Sequence, residues 1–173
     1  MIRKFKDKHP ILGQGVYIDE QAVIIGDVEM GDNSSLWPTA LLRGDLLKIT
    51  IGKNTSIQDG TIGHTSHASA YHPKGHALTV GDNVTVGHQV VLHGCTIHSN
   101  TLIGMQSVIL DGAVIESYVM LGAGSLVSPG KVLESGFLYI GRPAVKKRPL
   151  TEDEKAFIAY SAKSYVALKN HYL

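Results

Sequence analysis

The sequence predicts a mainly β chain, a parallel β-helix of hexapeptide repeats with one C-terminal α-helix packed on it. Three observations carry that expectation. Large apolar residues recur every six positions, small residues follow most of them four places later, and a helix-capping sequence stands just past the last repeat. A period of six is neither the 3.6 of a helix nor simple strand alternation. It suits a solenoid in which each hexapeptide makes a short strand and a turn, the large side chain fills the interior, and Gly or a small residue turns the corner.

The elements follow in order. The first train runs Ile18, Ile24, Met30, Leu36 and Leu42, with Ala22, Val28, Ser34, Ala40 and Leu46 in the small slot. The phase breaks and resumes at Ile51 and Ile57, with Thr55 and Thr61. A second train runs Val80, Val86 and Leu92, slips by one, and continues from Ile97 through Ile103, Ile109, Ile115, Leu121 and Val127 to Leu133. Its small slots include Val90, Thr96, Thr101, Ser107 and Ala113. Past Pro149, Thr151-Glu152-Asp153-Glu154 reads as a capping box with acids in the first turn, predicting a helix over 152–171. Phe157, Tyr160, Ser164, Leu168 and Tyr172 form one stripe expected to face the solenoid. Residues 1–149 are thus expected to form the β-helix domain and 150–173 the helix, as one structural unit.

Composition excludes several function classes. The chain has 173 residues, with 16 Lys+Arg against 15 Asp+Glu and a net charge of +1, which lacks the basic footprint of a nucleic-acid or polybasic membrane binder. No apolar run reaches the roughly 18 residues of a membrane span. The opening MIRKFKDKHP has no apolar stretch behind its basic residues, so a signal peptide is not expected. Cys95 is the single cysteine, which excludes an intramolecular disulfide and, with the other features, predicts a cytoplasmic protein.

With three hexapeptides per turn, the repeats at Leu36, Ile57 and Val86 stack on one side. Those at Leu42, Ile62 and Leu92 stack on the next, and those at Ile51, Val80 and Ile97 on the third. Two insertions interrupt the stack: a small bulge at 46–50 and a polar extrusion at 65–78, and insertions in a solenoid gather on one, commonly binding, face. Arg43, His64 and His93 fall on the second side in successive turns. Neighbouring strands lie about 4.7–4.9 Å apart, so the two imidazoles can converge on one ion with Zn–N bonds of about 2.0–2.1 Å. His88 lies around a corner, where a neighbouring molecule related by three-fold symmetry can supply it instead. His9, His67, His72, His76, His98 and His171 read as exposed turn residues, and Cys95 as a buried or turn thiol rather than a fourth ligand.

Three stretches in this order resemble the gamma-class carbonic anhydrases of the hexapeptide-repeat superfamily. They are Arg43-Gly44-Asp45, Gln58-Asp59-Gly60 with His64 six residues after the Gln, and Gly87-His88-Gln89-Val90-Val91-Leu92-His93. The likeness covers residues 10–145 and includes Gly141-Arg142-Pro143-Ala144, similar to the family's exit sequence. It implies a left-handed helix and a homotrimer with interfacial Zn²⁺ sites, in which Fe²⁺ or Co²⁺ can substitute. His64 and His93 would come from one subunit and His88 from the next. It further implies an intersubunit ion pair of Arg43 and Asp59 with Asp45 beside them. Gln58 would orient a metal-bound water, and Tyr165 on the final helix would overlook the metal, its pocket wall shared with Met105. The implied reaction is hydroxide attack on CO2 giving bicarbonate, with water activated to a pKa of about 7.

The proton exit departs from that pattern. The best-characterised relatives carry an acidic loop with a glutamate shuttle and a glutamate after the Arg-x-Asp stretch; here Leu46 follows Asp45, and the loop after His64 has no carboxylate. His67 or His72 stands as the candidate shuttle. Two other readings stay open at this point. One is a hexapeptide acyltransferase using acyl-CoA with one His as general base; the other is a metal-binding trimeric scaffold without catalysis.

Overall fold

The computed structural model describes residues 1–173. It is mainly β, a parallel β-solenoid of about 8 turns with a single C-terminal helix. Most strands are two or three residues long, as a six-residue repeat requires. On the first side the strands Tyr17–Ile18, Ser35–Leu36, Ser56–Ile57, Thr85–Val86, Leu102–Ile103 and Met120–Leu121 pair in parallel, one turn apart. The other two sides are built the same way, and the long strand Leu41–Ile51 bends around the corner that joins them. The interior is one column of apolar residues in which Ile24, Leu36, Leu42, Ile57, Leu92, Ile97, Ile109 and Leu121 are fully buried.

Corners are tight enough to require left-handed backbone. Asn33, Asn54, Asn83 and Asn100 all adopt φ near +55 to +58° at one edge, a conformation Asn tolerates better than most residues. The Asn54 amide donates to the Asn83 side chain at 3.0 Å, so the corner residues also satisfy one another between turns.

The second side differs from expectation in one register. Leu42 and Leu92 both pair with Gly63, so Gly63 takes the interior slot and Ile62 points outward, 46% exposed. A Cβ on Gly63 would lie 2.6 Å from Leu42 Cδ2 and 3.0 Å from Leu78 Cδ2, so those two leucines already fill the space a side chain would need. A similar correction holds at the slip in the second train. Cys95, not Thr96, is the small interior residue, fully buried with its thiol pushed up to about 12 by desolvation, which leaves it unreactive. Leu46, counted as a small interior position, is instead exposed.

Both insertions are where the phase breaks placed them. Four residues, Asp45 to Lys48, stand opposite Asp27 alone in the register with strand Val23–Met30. The extrusion leaves the solenoid after His64 and returns at Leu78, its base closed by an antiparallel bridge between Ser66 and His76. One element escaped the repeat pattern: past the last coil, Phe137–Ile140 pairs antiparallel with Val145–Pro149.

The helix spans Glu152–Lys169, with Thr151 as N-cap and the full capping box present. Its inner face is not the aromatic stripe. Ile158, Ser161, Ala162 and Lys169 are buried, whereas Phe157, Tyr160 and Leu168 face outward. The surface beneath carries Ser35, Ser56 and Thr85, and small residues let the helix approach it closely; Ser161 Oγ lies 3.0 Å from Thr85 Oγ1. Aromatic packing is confined to the C-terminal end, where Trp37 contacts Tyr17, Tyr165 and Tyr172.

The capping box carries a pH prediction. Glu154 accepts two bonds from Arg148, at 2.7 and 2.8 Å, and one from the Thr151 amide at 2.9 Å, which hold its carboxyl at about 2. A pKa depressed in the folded state contributes stability that is complete above the ordinary Glu value of about 4.3 and is lost as pH falls through the folded value. The melting-temperature gap between wild type and Glu154→Gln is therefore expected to be constant above about pH 4.5 and to close towards about pH 2. A gap that widens on acidification would contradict the assignment.

Candidate metal centre

The second side of the solenoid places the site. Leu42, Gly63 and Leu92 are in register and point inward. Successive residues on a strand face opposite ways, so Arg43, His64 and His93 point out in a column. His64 and His93 are direct partners across the ladder, with ring centroids 5.3 Å apart. His64 Nδ1 lies 3.3 Å from His93 Nε2.

That distance tests the fit of a metal ion. Two nitrogens each about 2.05 Å from a tetrahedral zinc are separated by roughly 3.3 Å. The facing imidazoles therefore already span one edge of such a coordination sphere. Neutral nitrogen donors suit Zn²⁺, Fe²⁺ and Co²⁺ alike. No cluster of three or more His, Cys, Asp or Glu within the single chain could hold a metal ion.

Each ring is held from behind. Asp45 Oδ1 is 3.0 Å from His64 Nε2, and Asp45 Oδ2 accepts from Arg43 Nη1 at 2.6 Å. Burial pushes the Asp45 carboxyl up, but the bonds from His64 and Arg43 and the Arg43 charge outweigh it and keep the group below the usual carboxylate range. Thr65 steadies the same bulge, its Oγ1 accepting the Leu47 amide at 3.1 Å. On the other ring, His93 Nδ1 is 2.8 Å from Asp111 Oδ1. His88 lies apart from this pair, with Nδ1 2.9 Å from Asp59 Oδ2 and both side chains 45% exposed.

The remaining expected site residues divide into groups. Gln58 is buried, and Tyr165 lies beside it and Asp59; burial, followed by the Asp59 charge, raises the Tyr165 hydroxyl against a partly opposing Gln58 contact. Met105 is half-exposed, stacked against Gly87 one turn on. Within the chain Arg43 pairs with Asp45 and Asp59 with His88. Of the two candidate shuttles, His72 has a defined neighbourhood: its ring is 5.0 Å from His76, and the two line an open pocket of about 430 Å³ with Asp111. His67 lies exposed on the extrusion.

Sequence reasoning missed Asp111 and Ser66, whose Oγ donates to Asp111 Oδ1 at 2.9 Å. The slip in the repeat hides Asp111: Val91 and Leu92 pair with Val108 and Ile109, a 17-residue step, so Asp111 stands one place beyond the position opposite His93 and reaches back to it.

Comparison with known proteins agrees with this architecture. The bacterial transferase hexapeptide (six repeats) profile matches residues 94–129. Protein YrdA of Escherichia coli is 50% identical over 173 residues, covering 100% of this chain and 94% of that protein. A probable carbonic anhydrase of Methanocaldococcus jannaschii is 49% identical over 158 residues, 91% of this chain and 95% of its own. The mitochondrial gamma carbonic anhydrase 2 of Arabidopsis thaliana is 42% identical over 164 residues, 94% of this chain but 58% of the longer plant protein. A solved structure described as a hexapeptide transferase family protein, from Anaplasma phagocytophilum, superposes with a TM-score of 0.92 at 40% identity, covering 99% of this chain and 98% of that one.

Proposed function

The chain belongs to the gamma carbonic anhydrase-like family of hexapeptide-repeat proteins, and from that premise we propose that it is a metal-dependent carbonic anhydrase acting as a homotrimer. The reaction is CO2 + H2O giving bicarbonate and a proton. His64 and His93 of one subunit and His88 of the next hold the ion. The observation that carries this reading is the 3.3 Å approach of His64 Nδ1 and His93 Nε2.

When bound, a dipositive ion on three neutral imidazoles lowers the pKa of a water to about 7 and supplies the nucleophile. The chain's own residues do the rest. Asp45 accepts His64 Nε2–H, leaving Nδ1 as the donor atom, and Asp59 does the same for His88 Nδ1–H, leaving Nε2. Gln58, whose amide can both donate and accept, fixes the orientation of the attacking water. Arg43 anchors Asp45 and, in the trimer, faces Asp59 of the next subunit. The released proton leaves by way of His72, the loop histidine that lines the open pocket with His76 and Asp111.

Metal analysis of protein purified without added metal, with native mass, tests this directly. About one equivalent per chain in a trimer is expected. CO2 hydration followed by a pH indicator should fall to background after chelation and return with zinc or iron. In weak buffer, His72→Ala should lower turnover about tenfold or more and be rescued by added imidazole, while His67→Ala changes nothing. Wild-type protein that is monomeric or retains full activity after chelation would refute the proposal. The hexapeptide transferase relative favours a second reading, acyl transfer from an acyl-CoA. Thioester turnover that survives chelation would establish it.

A further inference from the structure

We infer that Asp111 is a positioning residue of this centre, fixing His93 in its Nδ1–H tautomer so that Nε2 faces His64. The inference rests on the metal-binding reading above for its purpose, but its geometry stands independently.

An ionised carboxylate only accepts hydrogen bonds. His93 Nδ1, 2.8 Å from Asp111 Oδ1, must therefore carry the proton, and the neutral ring presents a bare lone pair at Nε2. By the same rule His64 donates Nε2–H to Asp45 and presents a lone pair at Nδ1. These two lone pairs confront each other across 3.3 Å. Nothing but a cation or an extra proton makes that arrangement favourable, and the two carboxylates behind the rings impose it.

Asp111 is itself held by two devices. Ser66 donates to the same Oδ1 at 2.9 Å, and Ser66 is also pinned to His76 through backbone bonds of 3.0 and 2.9 Å. The base of the 65–78 extrusion is thereby fastened to the carboxylate that sets His93. Gly94, directly after His93, leaves the space this requires: a Cβ there would lie 2.2 Å from Asp111 Oδ1 and 2.6 Å from His76 Cβ. Gly94 also sits at φ +53°, where L side chains are strained. Glycine at this position thus admits the carboxylate, not only the turn.

The test uses the full-length protein, with zinc affinity read by chelator competition and histidine tautomers by ¹⁵N NMR of the metal-free form. Wild type should show His93 as a single Nδ1–H tautomer. Asp111→Ala should give mixed tautomers and weaken zinc binding about 10–100-fold. Asp111→Asn, of equal volume, keeps the packing and should fall between the two, since a neutral amide makes the weaker bond. Unchanged tautomer in both variants, or zinc affinity within about twofold of wild type in both, would overturn the inference. Wild type that binds no zinc while its His93 tautomer still depends on Asp111 would refute the metal reading and support the positioning role.

Discussion

His93→Ala is expected to abolish zinc retention and CO2 hydration together, while trimer formation and the far-ultraviolet spectrum persist. The residue points outward from a strand whose interior neighbour, Leu92, is fully buried, so truncation removes a proposed ligand without opening the core. The loss in metal affinity should exceed the roughly 10–100-fold caused by deleting a hydrogen-bond partner behind a ligand. His88→Ala should be as inactive, although His88 stands apart from the His64–His93 pair within the chain. Mixing the two dead variants separates a shared centre from an internal one. An interface built from the His64 and His93 of a His88→Ala chain and the His88 of a His93→Ala chain has all three ligands. Random reassembly of an equal mixture should therefore restore about a quarter of the wild-type sites and activity. No recovery after reassembly, with mixed trimers shown by native mass, would mean that the ligands do not come from two chains.

Much of this centre was legible because a solenoid turns sequence spacing into spatial stacking. Once Leu42 and Leu92 are recognised as interior residues, Arg43 and His93 must point outward on the same side. The sequence assigns His64 to this side with Ile62 as the interior residue, whereas Gly63 takes that slot. Ile62 fits the apolar pattern better than Gly63, yet Leu42 and Leu78 occupy the space at that level, and only glycine can be inside. Hydrophobicity alone does not register that local crowding. The helix face failed for a related reason. Large aromatics look like the buried stripe until the opposing surface is known to carry Ser35, Ser56 and Thr85, against which Ser161 and Ala162 pack. Asp111 was not legible because the turn after His93 is one residue short of three hexapeptides, so the carboxylate that meets His93 is not the residue directly stacked on it.

Trp37→Ala should give the largest loss of stability of any change outside the centre, about 3–5 kcal/mol. Trp37, the only tryptophan, is 6% exposed and joins three parts of the fold. Its ring lies 5.4 Å from Tyr17 on the first coil, 6.0 Å from Tyr165 and 5.5 Å from Tyr172 at the end of the helix. Its indole N–H donates to Ser35 Oγ at 3.0 Å and Ser56 Oγ at 2.9 Å on successive turns. Removing it leaves a cavity under the helix and two buried hydroxyls without that donor. For a chain of this length the cost corresponds to a fall in melting temperature of roughly 6–20 °C, compared at equal protein concentration because assembly adds to stability. Trp37→Phe keeps the aromatic contacts and should lose only the bonds to the serines, about 1–3 kcal/mol. The same truncation should reach the proposed centre without touching its histidines. Tyr165 is placed beside Gln58 and Asp59 by its contact with Trp37. Zinc content should therefore stay at the wild-type level in Trp37→Ala while turnover falls several-fold, as expected when a positioned side chain is freed near the reacting atoms. Equal melting temperatures for wild type and Trp37→Ala would show that the helix is held by its Ile158–Ala162 face instead. Loss of zinc alongside turnover would mean that this aromatic cluster supports the histidines themselves.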